Sequence, residues 1–291
     1  MRSLPYSARA RFEGARHNEK VEKGSARLVS LDNLRGLAIL GMIFSGVLPW
    51  SSLPAWMYHA QTPPPSRAFD PSVPGITWVD LVFPFFLFAM GAAIPLSKAQ
   101  APWWQPLARG LLLAVFAIVI QHIRPNTLSE SPDATTWWLG LVGFLLVLGM
   151  YVRSPKSWPK WAPLTLKAAA WIGMAVFLAQ ARYPSDTMPG FAKERSDIIL
   201  LVLAGVYTLG SYIWRATRDS WEVRCAVIAA LAAFRLSTTV EGSWAWQVWT
   251  WDGVAWLFQP KFAGYLLLVL PGTIAGDWYV RRQAPAEESS G

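Results

Sequence analysis

Long apolar runs with few charges constrain the fold of this chain more than any other feature of its sequence. About eight such runs occur, at about 30–49, 79–96, 107–123, 136–152, 163–181, 197–214, 223–240 and 262–280. A transmembrane helix needs about 20 mostly apolar residues, with a lower limit of about 17. Only 15% of the 291 residues are charged, whereas 53% are hydrophobic. The sequence therefore predicts an all-α, polytopic integral membrane bundle with about eight transmembrane helices.

The basic residues between the runs predict the orientation of this bundle. Cytoplasmic loops of membrane proteins are enriched in Lys and Arg. With the N-terminus inside, the cytoplasmic segments carry most of the cations: the basic cluster in residues 1–26, and then Lys98, Arg109, Arg153, Lys156, Lys160, Lys167, Arg215, Arg218, Arg224, Arg281 and Arg282. We therefore expect both termini to be cytoplasmic. The formal net charge of +8 arises from these segments, so we expect a lipid bilayer as partner and no nucleic acid.

The ends of the chain differ in composition from the region between them. Residues 1–26 are polar and basic and contain no apolar core, which indicates a disordered cytoplasmic tail rather than a cleavable signal peptide. Residues 27–282 hold all the apolar runs and form the predicted membrane domain. Residues 283–291 are predicted to be a second disordered tail.

Cysteine and histidine are too sparse for a metal centre. Cys225 is the single cysteine, and the three histidines, His17, His59 and His122, are far apart in sequence. A cysteine or histidine zinc site needs several such ligands at short spacings. The sequence therefore predicts no bound metal and no internal disulfide.

The first two runs and their connecting loop contain most of the residues that suggest chemistry. Asp32 and Arg35 lie near the inner end of the first run, where they form either a functional pair or an interfacial ion pair on one helix face. His59 lies in the outer loop, and Asp80 opens the second run. A carboxylate can fix the tautomer of a histidine that moves protons, so we expect Asp80 to contact His59 if the loop folds back. The alternative for His59 is an ordinary surface histidine.

Tryptophans are concentrated on the predicted outer side. The connection between the last two runs is expected to be a loop, and it contains EGSWAWQVWTWDGVAW. These residues form either an aromatic belt at the membrane interface or a platform that stacks against a sugar. In the second interpretation the substrate-binding residues are Trp56, Trp78, Trp249, Trp251 and Asp252. Nearby, Arg235 is expected to pair with Glu241, whereas His122 and Asp277 are expected to be interfacial.

Three motifs in the first 90 residues resemble one known family. RLVSLDNLRGLAIL at 27–40, the step Tyr58-His59-Ala60, and PGITWVDLVFPFFLF at 74–88 occur in this order. They are similar to motifs of the heparan-alpha-glucosaminide N-acetyltransferase family, whose bacterial relatives belong to the wider transmembrane acyltransferase group. The resemblance covers about residues 27–98, with a weaker similarity at 260–280.

This resemblance implies a function and a set of site residues. The family moves an acetyl group from cytoplasmic acetyl-CoA to an amino sugar or glycan on the far side of the membrane. By the same resemblance, His59 and Asp80 are catalytic, and Asp32, Arg35 and Ser45 serve the acetyl-CoA donor; Ser45 stands where characterised members carry asparagine. The implied location is the inner membrane of a bacterium.

Two other functions remain open from the sequence. One is a transporter or flippase of a sugar-containing lipid, although transporters usually show internally repeated halves, which this sequence lacks. The other is a family member that serves as a non-catalytic scaffold. The sequence also leaves open whether the chain forms a homo-oligomer, and whether the acetyl group passes directly or through an acetyl-histidine.

Overall fold

The computed structural model of the protein describes most of the predicted membrane domain. The described residues are 31–49, 53–63, 65–66, 68–70, 72–96, 102–153, 155, 157–159, 161–184, 191–193, 195–254 and 256–283. They form helices, turns and loops, without a strand among them. The predicted N-terminal tail lies outside these residues, and of the predicted C-terminal tail only Gln283 is described, as the last residue of a helix.

Each predicted apolar run coincides with a helix. These helices are α1 (31–47), α2 (Trp78–Ala93), α3 (Gln105–His122), α5 (Ala134–Tyr151), α6 (Trp161–Gln180), α7 (Ile198–Thr217), α8 (Trp221–Ser237) and α10 (Leu266–Gln283), and two short helices, α4 (Pro125–Leu128) and α9 (Trp244–Thr250), lie between them. Four helices, α3, α5, α6 and α7, are long and apolar enough to cross a membrane, and α2 is apolar but shorter. The protein is therefore an all-helical membrane protein.

The described residues group into two compact units. The first comprises α1, α2, residues 210–233 and α10, and the second comprises residues from 102 to 209 and from 234 to 264. Residues 210–233 contain the C-terminal part of α7 and most of α8. Each unit is held together by contacts among its own residues.

Glycines allow α2 and α10 of the first unit to approach closely. A Cβ atom on Gly272 would lie 2.3 Å from the carbonyl oxygen of Phe88, and one on Gly276 would lie 2.3 Å from that of Ala92. These glycines form a G-x-x-x-G pair, which lets helix backbones touch in membrane proteins. Since Phe88 and Ala92 meet Gly272 and Gly276 in the same order, the two helices run in the same direction.

Helices α1 and α2 form an antiparallel hairpin in the same unit. The ring of Phe44 lies 5.8 Å from that of Trp78, and a Cβ atom on Gly41 would touch Val82. Early residues of α1 therefore lie beside the end of α2, and late residues beside its beginning. As a result, Asp32 and Arg35 lie at the opposite end of the hairpin from the loop that holds His59.

The second unit is built around antiparallel α5 and α6. Gly149 faces Ala170, and Gly173 faces Leu146. One buried core cluster of this unit consists of Val119, Ile123, Val147, Met150, Ala170 and Met174. Asp133 caps α5, since its carboxylate accepts a hydrogen bond from the amide of Thr136 at 2.8 Å.

His122 is not an interfacial residue, contrary to the prediction from sequence. It is fully buried, and its ring stacks on Phe191 at 5.2 Å. Nδ1 donates to the carbonyl of Ile118 at 2.8 Å, and Nε2 accepts from the amide of Ala192 at 3.2 Å. Both ring nitrogens are thus used to hold the end of α3, because an apolar interior favours a neutral, fully bonded imidazole.

Candidate functional site

The loop before α2 is folded by its own hydrogen bonds. The side chain of Tyr58 is buried; its hydroxyl donates to the carbonyl of Pro49 and accepts from the amide of Leu53 at 3.3 Å. The amide and hydroxyl of Thr62 both donate to the carbonyl of His59, at 3.0 and 2.9 Å. These bonds fix the backbone on both sides of His59.

The start of α2 is built to orient a carboxylate. Thr77 is the N-cap residue, and its amide donates to Oδ2 of Asp80, three residues later, at 2.9 Å. This bond satisfies a free amide at the helix end. The Thr77 hydroxyl also lies 2.6 Å from the carbonyl oxygen of Tyr58, to which it donates. Thr77 therefore ties the segment of His59 to the helix that carries Asp80.

His59 and Asp80 form a hydrogen-bonded dyad. Nδ1 of His59 lies 2.5 Å from Oδ1 of Asp80, and Oδ2 of the same carboxylate accepts from the amide of Ala60 at 3.1 Å. The contact that the sequence predicts is thus present in the structure.

The geometry fixes which nitrogen of His59 is reactive. An ionised carboxylate only accepts hydrogen bonds, so Nδ1 carries a proton and a neutral ring leaves Nε2 as the proton acceptor. Nε2 has no partner among the described residues, and the side chain is 53% exposed, compared with 18% for Asp80. A histidine in this state can remove a proton from an amine or attack an acyl carbon itself.

The tryptophans of the first unit differ in exposure. Trp56 lies in a 3-10 helix over Ala55–Met57, three residues before His59, and it is 62% exposed. Trp78 packs against Phe44, and its Nε1 is buried with no partner among the described residues. Trp56 is thus the better placed of the two for a ring contact with a ligand.

The predicted donor residues lie on α1. Nη1 of Arg35 is 3.5 Å from Oδ1 of Asp32, a single contact between exposed groups. The hydroxyl of Ser45 donates to the carbonyl of Met42 within the same helix at 2.8 Å. Ser45 lies toward the loop end of α1, away from Asp32 and Arg35, so the three residues do not form one cluster.

The remaining predicted substrate residues belong to the second unit. Trp249 is half-buried beneath the guanidinium of Arg235, which lies 5.2 Å from its ring centre, whereas Trp251 and Asp252 are exposed. His59 belongs to the first unit, so the assignment of these three residues to its site stays a prediction.

Two expectations about this part of the second unit are wrong. The Trp-rich connection contains the helix α9, capped by the hydroxyl of Ser243, rather than only a loop. The partners of Arg235 are Trp249 and Thr238 and not Glu241, since an arginine stacks readily on an indole face.

The sequence analysis missed a buried charge cluster in the first unit. Arg224 is completely buried, and its Nη1 donates to Oδ2 of Asp277 at 2.5 Å. Oδ1 of Asp277 accepts from the indole of Trp214 at 3.0 Å, and Nε and Nη1 of Arg224 reach the hydroxyls of Thr217 and Thr273. Asp277 is therefore a paired charge rather than a simple interfacial residue. The signal in the sequence was a pair of opposite charges in the last two apolar runs, Arg224 at the beginning of one and Asp277 near the end of the other.

A family profile covers almost the whole described region. The profile of a domain of unknown function, DUF5009, matches residues 27–279. The chain belongs to the DUF5009 family. It has no significant match among curated proteins and none among solved structures. The family boundary at residue 27 coincides with the beginning of the predicted membrane domain, and the matched region includes the His59–Asp80 dyad.

Proposed function

We propose that this DUF5009 protein is a membrane-embedded acyltransferase. It would move an acetyl group from cytoplasmic acetyl-CoA to an amino sugar or glycan on the outer face of a bacterial inner membrane. The observation that carries this proposal is the dyad, in which Asp80 holds Nδ1 of His59 at 2.5 Å and the exposed ring offers Nε2. The identity of the donor and the acceptor rests on the resemblance of three motifs to those of the N-acetyltransferase family.

The proposed chemistry uses the free nitrogen of His59. The acceptor amine forms a bond to the acetyl carbon, the thioester bond to CoA breaks, and Nε2 takes the proton that the amine loses. In the alternative route, Nε2 itself attacks the acetyl carbon and CoA leaves as a thiolate. The amine then displaces the imidazole, and the proton that the amine loses balances the proton that the thiolate takes up. In both routes Asp80 stabilises the positive charge that develops on the ring.

The direction of the helices supports a bundle of eight spans with both termini on one side of the membrane, and the basic residues favour the cytoplasmic side. Helices α2 and α10 run in the same direction, and five long helices lie between them in the chain. Each membrane crossing reverses the direction of the chain, so two spans that are separated by an odd number of other spans run in the same direction. In a bundle of eight spans, α2 would be the second and α10 the eighth, so the two helices would be parallel, as they are here. The loop of His59 would then be on the outer face.

The donor and the acceptor would approach from opposite ends of the hairpin. Asp32 and Arg35 lie at the inner end, where Arg35 is suited to a phosphate group of CoA, and Ser45 lies nearer the acetyl end of the path. A helix of the length of α2 spans about 24 Å, so the donor must reach deep into the membrane domain. For the acceptor, we propose Trp56 and Trp78 and, from the second unit, Trp249, Trp251 and Asp252.

Transfer into sealed vesicles tests this proposal. Inside-out vesicles containing the purified protein present the cytoplasmic side to added radiolabelled acetyl-CoA, while a panel of amino sugars is enclosed in the lumen. We expect acetylated sugar in the lumen with the wild-type protein. Asp80→Asn should lower the rate about 100-fold, the magnitude usual for a displaced general base.

Asp70→Asn is the matched control, because it makes the same substitution in the same loop. The carboxylate of Asp70 accepts from the amide and hydroxyl of Ser72, at 2.9 and 2.6 Å, and has no contact with His59. We expect this variant to retain the wild-type rate. Absence of transfer by folded wild-type protein to every sugar would refute the proposed function.

A further inference from the structure

A groove opens on the first unit at the end opposite to the dyad. It has a volume of about 450 Å³ and is lined by aliphatic and aromatic side chains of three helices. The residues that matter here are Leu31, Leu34, Ala92, Ala275, Trp278 and Tyr279. Its walls are the beginning of α1 and the ends of α2 and α10, the part of the bundle that also carries Asp32 and Arg35.

An exposed arginine lies on the face of α10 that lines this groove. With about 100° of rotation per residue in an α-helix, Ala275, Trp278 and Arg282 share one face of α10. The guanidinium of Arg282 lies 3.9 Å from the ring centre of Trp278, and no carboxylate among the described residues pairs with it.

The opposite face of α10 is fixed to its neighbours. Asp277 points away from the groove, toward Arg224 and Trp214, and Gly276 holds α10 against the backbone of Ala92. The groove wall is thus anchored from behind by a buried ion pair and from the side by a close helix contact. The cavity is therefore built into the fold rather than left between loosely placed helices.

We propose that this groove binds one anionic phospholipid. An acyl chain would occupy the apolar channel, and the phosphate would meet Arg282 at its mouth. Arginine suits this role because its planar edge donates two parallel hydrogen bonds to phosphate oxygens while its face stacks on an aromatic ring. Aromatic and basic side chains together are also typical of the headgroup level of a bilayer. This lipid site does not depend on the acyltransferase proposal.

Native mass spectrometry of the full chain tests the lipid site directly. The purified protein is titrated with dioleoyl phosphatidylglycerol and, separately, with dioleoyl phosphatidylcholine. We expect one phosphatidylglycerol to bind in preference to phosphatidylcholine. Arg282→Gln should weaken its affinity about fivefold, the effect of about 1 kcal/mol per basic residue near a lipid surface.

Arg281→Gln is the matched control, since Arg281 is also exposed but lies on another face of α10. It should change the affinity less than about twofold. Ala275→Leu, which adds volume inside the groove without changing charge, should remove the bound lipid from protein that remains folded.

Three results would overturn the lipid proposal. Equal losses in Arg281→Gln and Arg282→Gln would indicate unspecific attraction to the basic end of the bundle. Equal binding of phosphatidylcholine would show that Arg282 does not select an anionic headgroup. Displacement of the lipid by equimolar acetyl-CoA would assign the groove to the acyl donor instead.

Discussion

Replacing Asp277 with alanine removes the counter-charge of a guanidinium that has no access to solvent. Arg224 is completely buried, and Asp277 accepts its Nη1 at 2.5 Å together with the indole of Trp214 at 3.0 Å. Breaking a buried ion pair from one side typically destabilises a protein by about 3–5 kcal/mol. We expect a loss of this size for Asp277→Ala, because the hydroxyls of Thr217 and Thr273 cannot neutralise the remaining cation.

Replacing Arg224 instead of Asp277 should destabilise the protein less. Arg224→Met fills the same space with an apolar chain and leaves Asp277, which is 19% exposed, with Trp214 and some access to water. The double variant Arg224→Met/Asp277→Leu should recover much of the loss, since replacing both partners of a buried pair is often close to neutral. The predicted order of stability is therefore double variant, then Arg224→Met, then Asp277→Ala.

Thermal unfolding in detergent, followed by tryptophan fluorescence, measures this order. At about 2–4 °C per kcal/mol, Asp277→Ala should lower the melting temperature by roughly 10 °C. The control is Asp219→Ala, which breaks a pair between Arg218 and Asp219 at 3.7 Å, with the carboxylate 94% exposed; surface pairs contribute little. Equal melting temperatures for Asp277→Ala and Asp219→Ala would refute the reasoning.

Three further substitutions test other parts of the structure. Gly75→Ala should destabilise the loop of His59 by about 1–3 kcal/mol, measured as lower acetyl transfer and faster loop proteolysis, because Gly75 has a φ of +135°. Gly272→Ala should lower the melting temperature through a destabilisation of about 1–3 kcal/mol, since its Cβ would lie 2.3 Å from the carbonyl oxygen of Phe88. Side-chain and backbone hydrogen bonds from Thr136 hold the pKa of Asp133 below 3.8. Asp133→Ala should therefore lower the melting temperature at pH 7. The difference from the wild type should shrink as the pH falls below 3.8, because the carboxylate that stabilises α5 becomes protonated.

The substitutions at Gly272 and Asp133 each have a control or a defined contrary result. Gly46→Ala, at a helical glycine with no atom within 4 Å of its added Cβ, should leave the melting temperature equal to or above that of the wild type. If it lowers stability as much as Gly272→Ala, close approach of α2 and α10 is not the cause. A constant effect of Asp133→Ala from pH 7 to pH 3 would show that its ionised carboxylate does not stabilise α5.

Local sequence patterns predicted much of the helical layout and one contact of the site. Every apolar run coincides with a helix, because run length and the absence of charge are local properties that decide helix formation in a membrane. The contact between His59 and Asp80 also followed from local chemistry. The capping position of Thr77 starts α2 beside the loop, so the carboxylate three residues later faces back toward it.

Two of the failures concern residues whose partners are distant in sequence. Arg224 and Asp277 are 53 positions apart, and only the meeting of α8 with α10 makes them a pair. His122 depends in the same way on the amide of Ala192, 70 positions later. The tryptophans of α9 were expected in a loop because an aromatic-rich segment carries no helical periodicity strong enough to distinguish a short helix.

The rate of acetyl transfer by His59→Ala tests the central claim most directly. In inside-out vesicles with enclosed amino sugar, the account predicts that this variant is at least about 100-fold slower than the wild type, while Asp70→Asn is unchanged and both proteins melt at the wild-type temperature. Transfer by His59→Ala within about threefold of the wild-type rate would contradict the claim that the dyad carries the reaction.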